Sequence, residues 1–215
     1  MFIGHYGPAV AIGGGRVKLW HAILAVQWLD LLWVPFILLG IEKVRVVENF
    51  AGASHLDLYY MPWTHSLPMA LVWSVLGGVL YRVIWHRAGI AGGLLIGGLI
   101  FSHWILDFLT HKPDLELWFG GVKVGLGLWE NKPLAFGLEL GLFGVGSFLF
   151  LQRVKPVKLV GCFALALFVI VGIALQIYGN FGPVPVHPSE VAISAFVAFS
   201  LFAGLAWFVD ATTQR

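Results

Sequence analysis

The stretch that decides the fold runs from residue 88 to residue 109, AGIAGGLLIGGLIFSHWILDFL. It has no Lys or Arg and a single acid, and at 22 residues it exceeds the ~20 that a helix needs to cross the hydrocarbon of a bilayer. Near its end stands Ser102-His103-Trp104-Ile105-Leu106-Asp107-Phe108-Leu109-Thr110-His111. Residues four apart share one face of a helix, so His103 and Asp107 project side by side. An ionisable pair in hydrocarbon is costly, and function is its default explanation. Imidazole beside carboxylate is also what a divalent metal site asks for.

Working outward, five more apolar runs reach spanning or near-spanning length: 20–41, 67–86, 133–152, 157–179 and 189–209. Pro35 predicts a kink in the first. Ser66 before Leu67-Pro68 reads as the N-cap of the second, with Pro in the first turn. Residues 2–13 predict a helix that stops at Gly13-Gly14-Gly15, too short to cross alone, hence a re-entrant or half-membrane element. Gly93/Gly97 and Gly137/Gly141 permit close helix packing. The expected fold is an all-α integral membrane protein, six transmembrane helices plus that short N-terminal element. We expect a single polytopic domain over 1–215, with the site-bearing part in 1–140 and generic helices in 141–215.

Composition agrees: the 215 residues are 59% hydrophobic and 11% charged, against about 25% charged in a soluble domain. The net charge of +2 comes from scattered loop residues, so no nucleic-acid partner is expected; membrane lipids are the expected partners. The lone Cys162 excludes an internal disulfide and a Cys-based metal site. No cleavable signal is expected, because no basic region precedes the first apolar stretch. Lys and Arg of alternate loops number 8 against 5, which places the 41–66 and 110–132 loops outside and the C-terminus in the cytoplasm. Trp63, Trp118 and Trp129 are expected interfacial anchors. The segment 115–128 is a candidate cover over an outward-facing site.

Three acids, Asp30, Asp107 and Glu139, fall inside apolar runs, and His5, His65 and His103 stand near them. Heights counted from the nearest basic loop residue test whether they share one depth. Asp30 lies ~21 Å up, His5 ~16 Å, His103 ~24 Å, His65 ~26 Å and Glu139 ~21 Å, with Asp107 ~6 Å above His103. Six residues from five segments thus converge on the outer half of the bilayer. Hard O and N donors without Cys suit zinc first, then manganese or iron. Five or six ligands exceed one tetrahedral ion and suit two metals, or one metal plus a general base. Glu139 is the candidate base or bridging ligand. Thr64 and Ser66 flank His65 and either orient it or cap the helix. Thr110, His111 and Asp114 are candidates for supporting the ligands or touching substrate.

Gly4-His5, an Asp in the first full span, Thr64-His65-Ser66 and Ser102-His103-x-x-x-Asp107-x-x-Thr110 occur in that order. The order resembles bacterial inner-membrane proteins called membrane-bound metal-dependent hydrolases. The likeness runs from His5 to about Thr110, and more weakly to Glu139. It is also similar to the ligand order of the soluble, all-helical zinc-dependent phospholipase C and P1-type nuclease group, which hydrolyses phosphoesters. The resemblance implies metal-ligand roles for His5, Asp30, His65, His103 and Asp107, a catalytic part for Asp107, and a bacterial inner-membrane location. Leu29-Asp30-Leu31 lacks the second acid that many relatives carry there, and no later His-x-x-x-Glu occurs, so three zinc ions are not expected.

The leading expectation is therefore a hydrolase that uses a metal-activated water on a lipid-linked phosphoester or ester near the outer leaflet. A proton or divalent-cation transporter or channel is the alternative, since the same groups could line a path; no inverted repeat supports it. A non-catalytic membrane scaffold with a structural polar cluster is the third reading.

Overall fold

A computed structural model describes residues 3–214. A single 3-10 turn, Ile3–His5, leads into the short helix α1 (Tyr6–Ile12). After the glycine turn come α2 (Leu19–Val26) and α3 (Trp28–Leu38), bent by 50° at the break between them. The hairpin β1 (Lys43–Ala51) and β2 (Ser54–Tyr60) follows, then α4 (Leu67–Ile84) and α5 (Gly89–Thr110). A second small hairpin, β3 (Leu115–Glu116) and β4 (Lys123–Val124), precedes α6 (Lys132–Leu151). The two-residue strand β5 (Lys155–Pro156) precedes α7 (Lys158–Phe181) and α8 (Pro188–Thr212), and pairs with β6 (Thr213–Gln214).

Five of these helices are long and apolar enough to cross a membrane, six if α2 and α3 count as one broken span. The chain is thus mostly helical, and its apolar helices have the character of a multi-pass membrane protein. Local chemistry sets the helix starts. The Ser66 hydroxyl accepts from the Met69 N–H at 3.4 Å and Asn131 accepts from the Leu134 N–H at 3.2 Å, each with Pro in the first turn. Helix α8 begins with a box in which the Glu190 carboxylate accepts from the backbone N–H of Val186 and His187.

Close helix contact falls where glycine permits it. A side chain at Gly78 would meet the Gly93 carbonyl at 2.7 Å, and one at Gly97 the Ser74 carbonyl at 2.8 Å, so α4 and α5 pack backbone to backbone. Gly7 of α1 and Gly146 of α6 make a second such contact. Gly137 and Gly141, expected to do the same, face open space. Behind them Tyr6, Phe168 and Phe202 form a buried aromatic cluster, with ring centroids 4.4–4.5 Å from Phe202. It ties α1 to α7 and α8.

Three expectations need correcting. The first span bends at Gln27, not at Pro35, which lies inside a continuous α3. The all-α expectation fails at residues 43–60, where a hairpin stands in place of a loop; Arg45 and Asp57 pair across it at 2.6 Å. Of the three expected Trp anchors, Trp63 and Trp118 are exposed, but Trp129 is buried.

Candidate metal centre

The candidate ligands arrive on four different supports. His5 ends the 3-10 turn, Asp30 sits in the first turn of α3 just past the break, His65 immediately precedes the α4 cap, and His103 and Asp107 lie one turn apart on α5. His111, one more turn on, is the C-cap of α5, so α5 presents three polar residues on one face. His5, His65, His103, Asp107 and His111 are all buried, at 3% exposure or less.

These groups meet at the Asp107 carboxylate. Its Oδ1 lies 3.1 Å from His5 Nε2 and 3.2 Å from His111 Nε2. Its Oδ2 lies 3.0 Å from His103 Nε2 and 3.5 Å from His65 Nε2. Asp30 Oδ1 closes the cluster, 3.3 Å from His65 Nε2 and 3.6 Å from His103 Nε2. The ring of His5 stacks on that of His103, centroids 3.9 Å apart. Two groups, His5–His103–Asp107 and Asp30–His65–His103, have ligand atoms all within 4.8 Å of one another and could each hold a metal ion.

The other ring nitrogens fix which face each imidazole offers. His103 Nδ1–H donates to the Val26 carbonyl at 2.7 Å. That carbonyl ends α2 at the break, so the bend frees the acceptor that orients the ligand. His65 Nδ1–H donates to the Thr64 hydroxyl at 2.7 Å, which in turn donates to Glu42 Oε2 at 2.7 Å. Glu42 Oε1 accepts from the N–H groups of Trp63 and Thr64 at 2.8 and 2.9 Å. Burial pushes the Glu42 carboxyl up from its usual range, against the pull of His65 and these hydrogen bonds. Trp104 Nε1–H holds the His65 carbonyl at 2.9 Å. His111 Nδ1–H donates to Asp114 Oδ1 at 3.0 Å, and Trp129 stacks on its ring at 4.2 Å. Burial disfavours a charge on His111, yet Asp107 and Asp114 outweigh it and push its pKa up to about 9.

With Nδ1 protonated, the neutral forms of His65, His103 and His111 each bring an unprotonated Nε2 to within 3.0–3.5 Å of an Asp107 oxygen. Lone pair facing lone pair is repulsive, and buried carboxylates cost several kcal/mol each when unpaired. Either protons or a cation must lie between. His103 Nε2 in particular is buried and makes no hydrogen bond. A divalent ion taking imidazole and carboxylate donors reconciles these contacts, and carboxylate or carbonyl partners behind ligating histidines are the usual support of such an ion. The donor set fits a metal; its identity is open between ions that accept N and O ligands.

A cavity of about 210 Å³ opens onto the centre. Asp30, His65, Asp107 and His111 face it, while Ala53, Leu56, Leu58 and Met61 from β1–β2 and its flanks form one apolar wall. Trp33 of α3 and Val191, Ala195 and Phe199 of α8 form another. Glu139, buried at 4% exposure, also lines it, on the α6 side. The cover is the first hairpin, not segment 115–128, which contributes nothing to the lining; the Ala53 N–H anchors it to the Trp129 carbonyl at 2.8 Å.

The structure brings His5, Asp30, His65, His103 and Asp107 into one cluster, with Glu139 on the cavity wall. Thr64 supports His65 directly. The Ser66 hydroxyl donates to the Pro62 carbonyl at 2.6 Å, and the Thr110 hydroxyl to the backbone carbonyls of Leu106 and Asp107 at 3.0 and 3.4 Å, so neither touches a ligating side chain. Sequence reasoning missed Glu42 and Trp129, and gave His111 as a residue supporting the ligands or touching substrate; the structure sets its Nε2 3.2 Å from Asp107 Oδ1. The four-residue step from Asp107 to His111 was the available signal for the last. No protein-family model, curated protein or solved structure matches the chain.

Proposed function

We propose that the protein is a membrane-bound metal-dependent hydrolase acting on a lipid-linked phosphoester or ester. The observation that carries this reading is the convergence of buried imidazoles on Asp107 and Asp30 at the floor of a cavity with apolar walls. A bound zinc ion, or manganese or iron, would supply Lewis acidity and lower the pKa of a water ligand to about 7. His5, Asp30, His65, His103 and Asp107 would hold one such ion or share two between them. Glu139 faces the same cavity and is the group we assign to accept a proton from the attacking water. Trp33, Leu58 and Phe199 would exclude bulk water and lie along the apolar part of the substrate.

In the membrane, we place six spans, with α2 and α3 together forming one, and α1 as a half-membrane element. The distribution of Lys and Arg puts both hairpins and the cavity mouth outside and the C-terminus in the cytoplasm. The order of ligands supports a place among the bacterial inner-membrane hydrolases that the sequence resembles. The test is hydrolysis by the detergent-purified full chain of a panel of lipid phosphoesters and carboxylic esters, with and without added zinc or manganese. Metal-dependent turnover that Asp107→Asn abolishes is the expected result. Metal-driven ion flux in proteoliposomes without turnover of any lipid in the panel would replace this reading with transport.

A further inference from the structure

His103 belongs to both candidate triads, but its Nε2 carries one lone pair and can serve one ion. It lies with the Asp30–His65 side, because the oxygen it approaches at 3.0 Å is Asp107 Oδ2, the same oxygen that faces His65. That side then has donors from Asp30, His65, His103 and Asp107 Oδ2. At the other oxygen of the carboxylate, His5 and Asp107 Oδ1 remain, with His5 Nε2 also 3.3 Å from the His103 carbonyl: two donors where a catalytic site ordinarily has three from protein.

The third is present. His111 Nε2 is 3.2 Å from Asp107 Oδ1, matching His5 at 3.1 Å. Its Nδ1–H is committed to Asp114, its ring is held by Trp129, and it is 3% exposed. A histidine turned by a carboxylate so that the other nitrogen faces inward is the arrangement found behind metal-bound imidazoles.

Resting on the metal-centre reading above, we propose that His111, oriented by Asp114, is a metal ligand that completes a second ion position with His5 and Asp107 Oδ1. The centre is then dinuclear, with Asp107 shared between an ion held by Asp30, His65 and His103 and an ion held by His5 and His111. Loaded with manganese, two ions sharing one carboxylate would be close enough for their unpaired electrons to couple. Both take N and O donors, so zinc or manganese is the chemical class of ligand. His111 and Asp107 also face the cavity, which puts the second ion beside the space a substrate would enter.

Manganese titration of the chelator-treated, detergent-purified full chain, followed by electron paramagnetic resonance, tests this. Wild type should bind two equivalents and show a coupled pair at saturation. His111→Gln should bind one, with the affinity of that remaining equivalent unchanged, which also shows that the variant is folded. Asp114→Asn should weaken only one of the two equivalents, by about 10–100-fold. Saturation of wild type at one equivalent, or two equivalents retained in His111→Gln, overturns the proposal while leaving a mononuclear centre standing. No binding by wild type overturns the metal reading itself. If His111→Gln binds nothing, Asp114→Asn decides: equal weakening of both equivalents counts against a separate second position.

Discussion

Two buried histidine environments lie along α5, and they differ in what faces the imidazole. Toward the N-terminal half of α5, His21 packs among Trp20, Tyr81 and Trp85, with its Nδ1 3.0 Å from the Tyr81 hydroxyl. The cavity beside it, about 150 Å³, is walled by Leu24, Ile96, Ile100 and other apolar residues. Toward the C-terminal half, His103 faces two carboxylates and shares them with three other imidazoles. Among rings, His21 meets the Tyr81 hydroxyl. A histidine pressed against carboxylates needs a proton or a cation. Burial alone does not mark a site; what the buried nitrogen faces does.

The comparison breaks if both regions respond alike to substitution. The largest effect is expected from Asp107→Asn, which should remove all bound metal and all metal-dependent hydrolysis, read by elemental analysis and turnover. Second, chelation should lower the thermal stability of wild type; at free metal of 100 times Kd the ion contributes about 2.7 kcal/mol, and metal added back should restore it. Third, Glu42→Gln or Thr64→Val should weaken metal binding by about 10–100-fold while leaving the spans intact, since each loosens the hold on His65.

Acidity sharpens the contrast further. Asp107 and Asp114 push the His111 pKa up to about 9 against burial, so with His111 as a ligand, as proposed, binding at neutral pH would displace its proton. Metal affinity should therefore rise between pH 6 and pH 9 and fall on acidification. The smallest effect belongs to His21→Phe, which loses the Tyr81 hydrogen bond, about 0.5–1.5 kcal/mol of stability, and keeps full metal content.

Much of this contrast is legible in sequence. The helices α4 to α8 follow from uninterrupted apolar runs, and counting residues from the basic loops puts His5, Asp30, His65, His103 and Asp107 at one depth. Such a count carries no information about facing, so it could not rank His111 against Glu139. Nor could it find Glu42, which meets Thr64 only because the hairpin folds the chain back over 22 residues. That hairpin hides in plain alternation, Val44, Val46 against Leu56, Leu58 around Gly52, inside a stretch that polarity alone marks as loop. The bend at Gln27 has no Pro or Gly to announce it; the tertiary contact at it is the Val26 carbonyl accepting from His103, beside a local bond from the Gln27 side-chain amide to Asp30 three residues on. Residues past 141 carry no polar motif, yet Asn180 and Phe199 wall the cavity.

Metal content of the detergent-purified protein, measured by elemental analysis beside Asp107→Asn, tests the central claim most directly. The account predicts stoichiometric zinc or manganese in wild type and none in a folded Asp107→Asn. A folded wild type that holds no metal, and takes up none when zinc or manganese is added back, would contradict it.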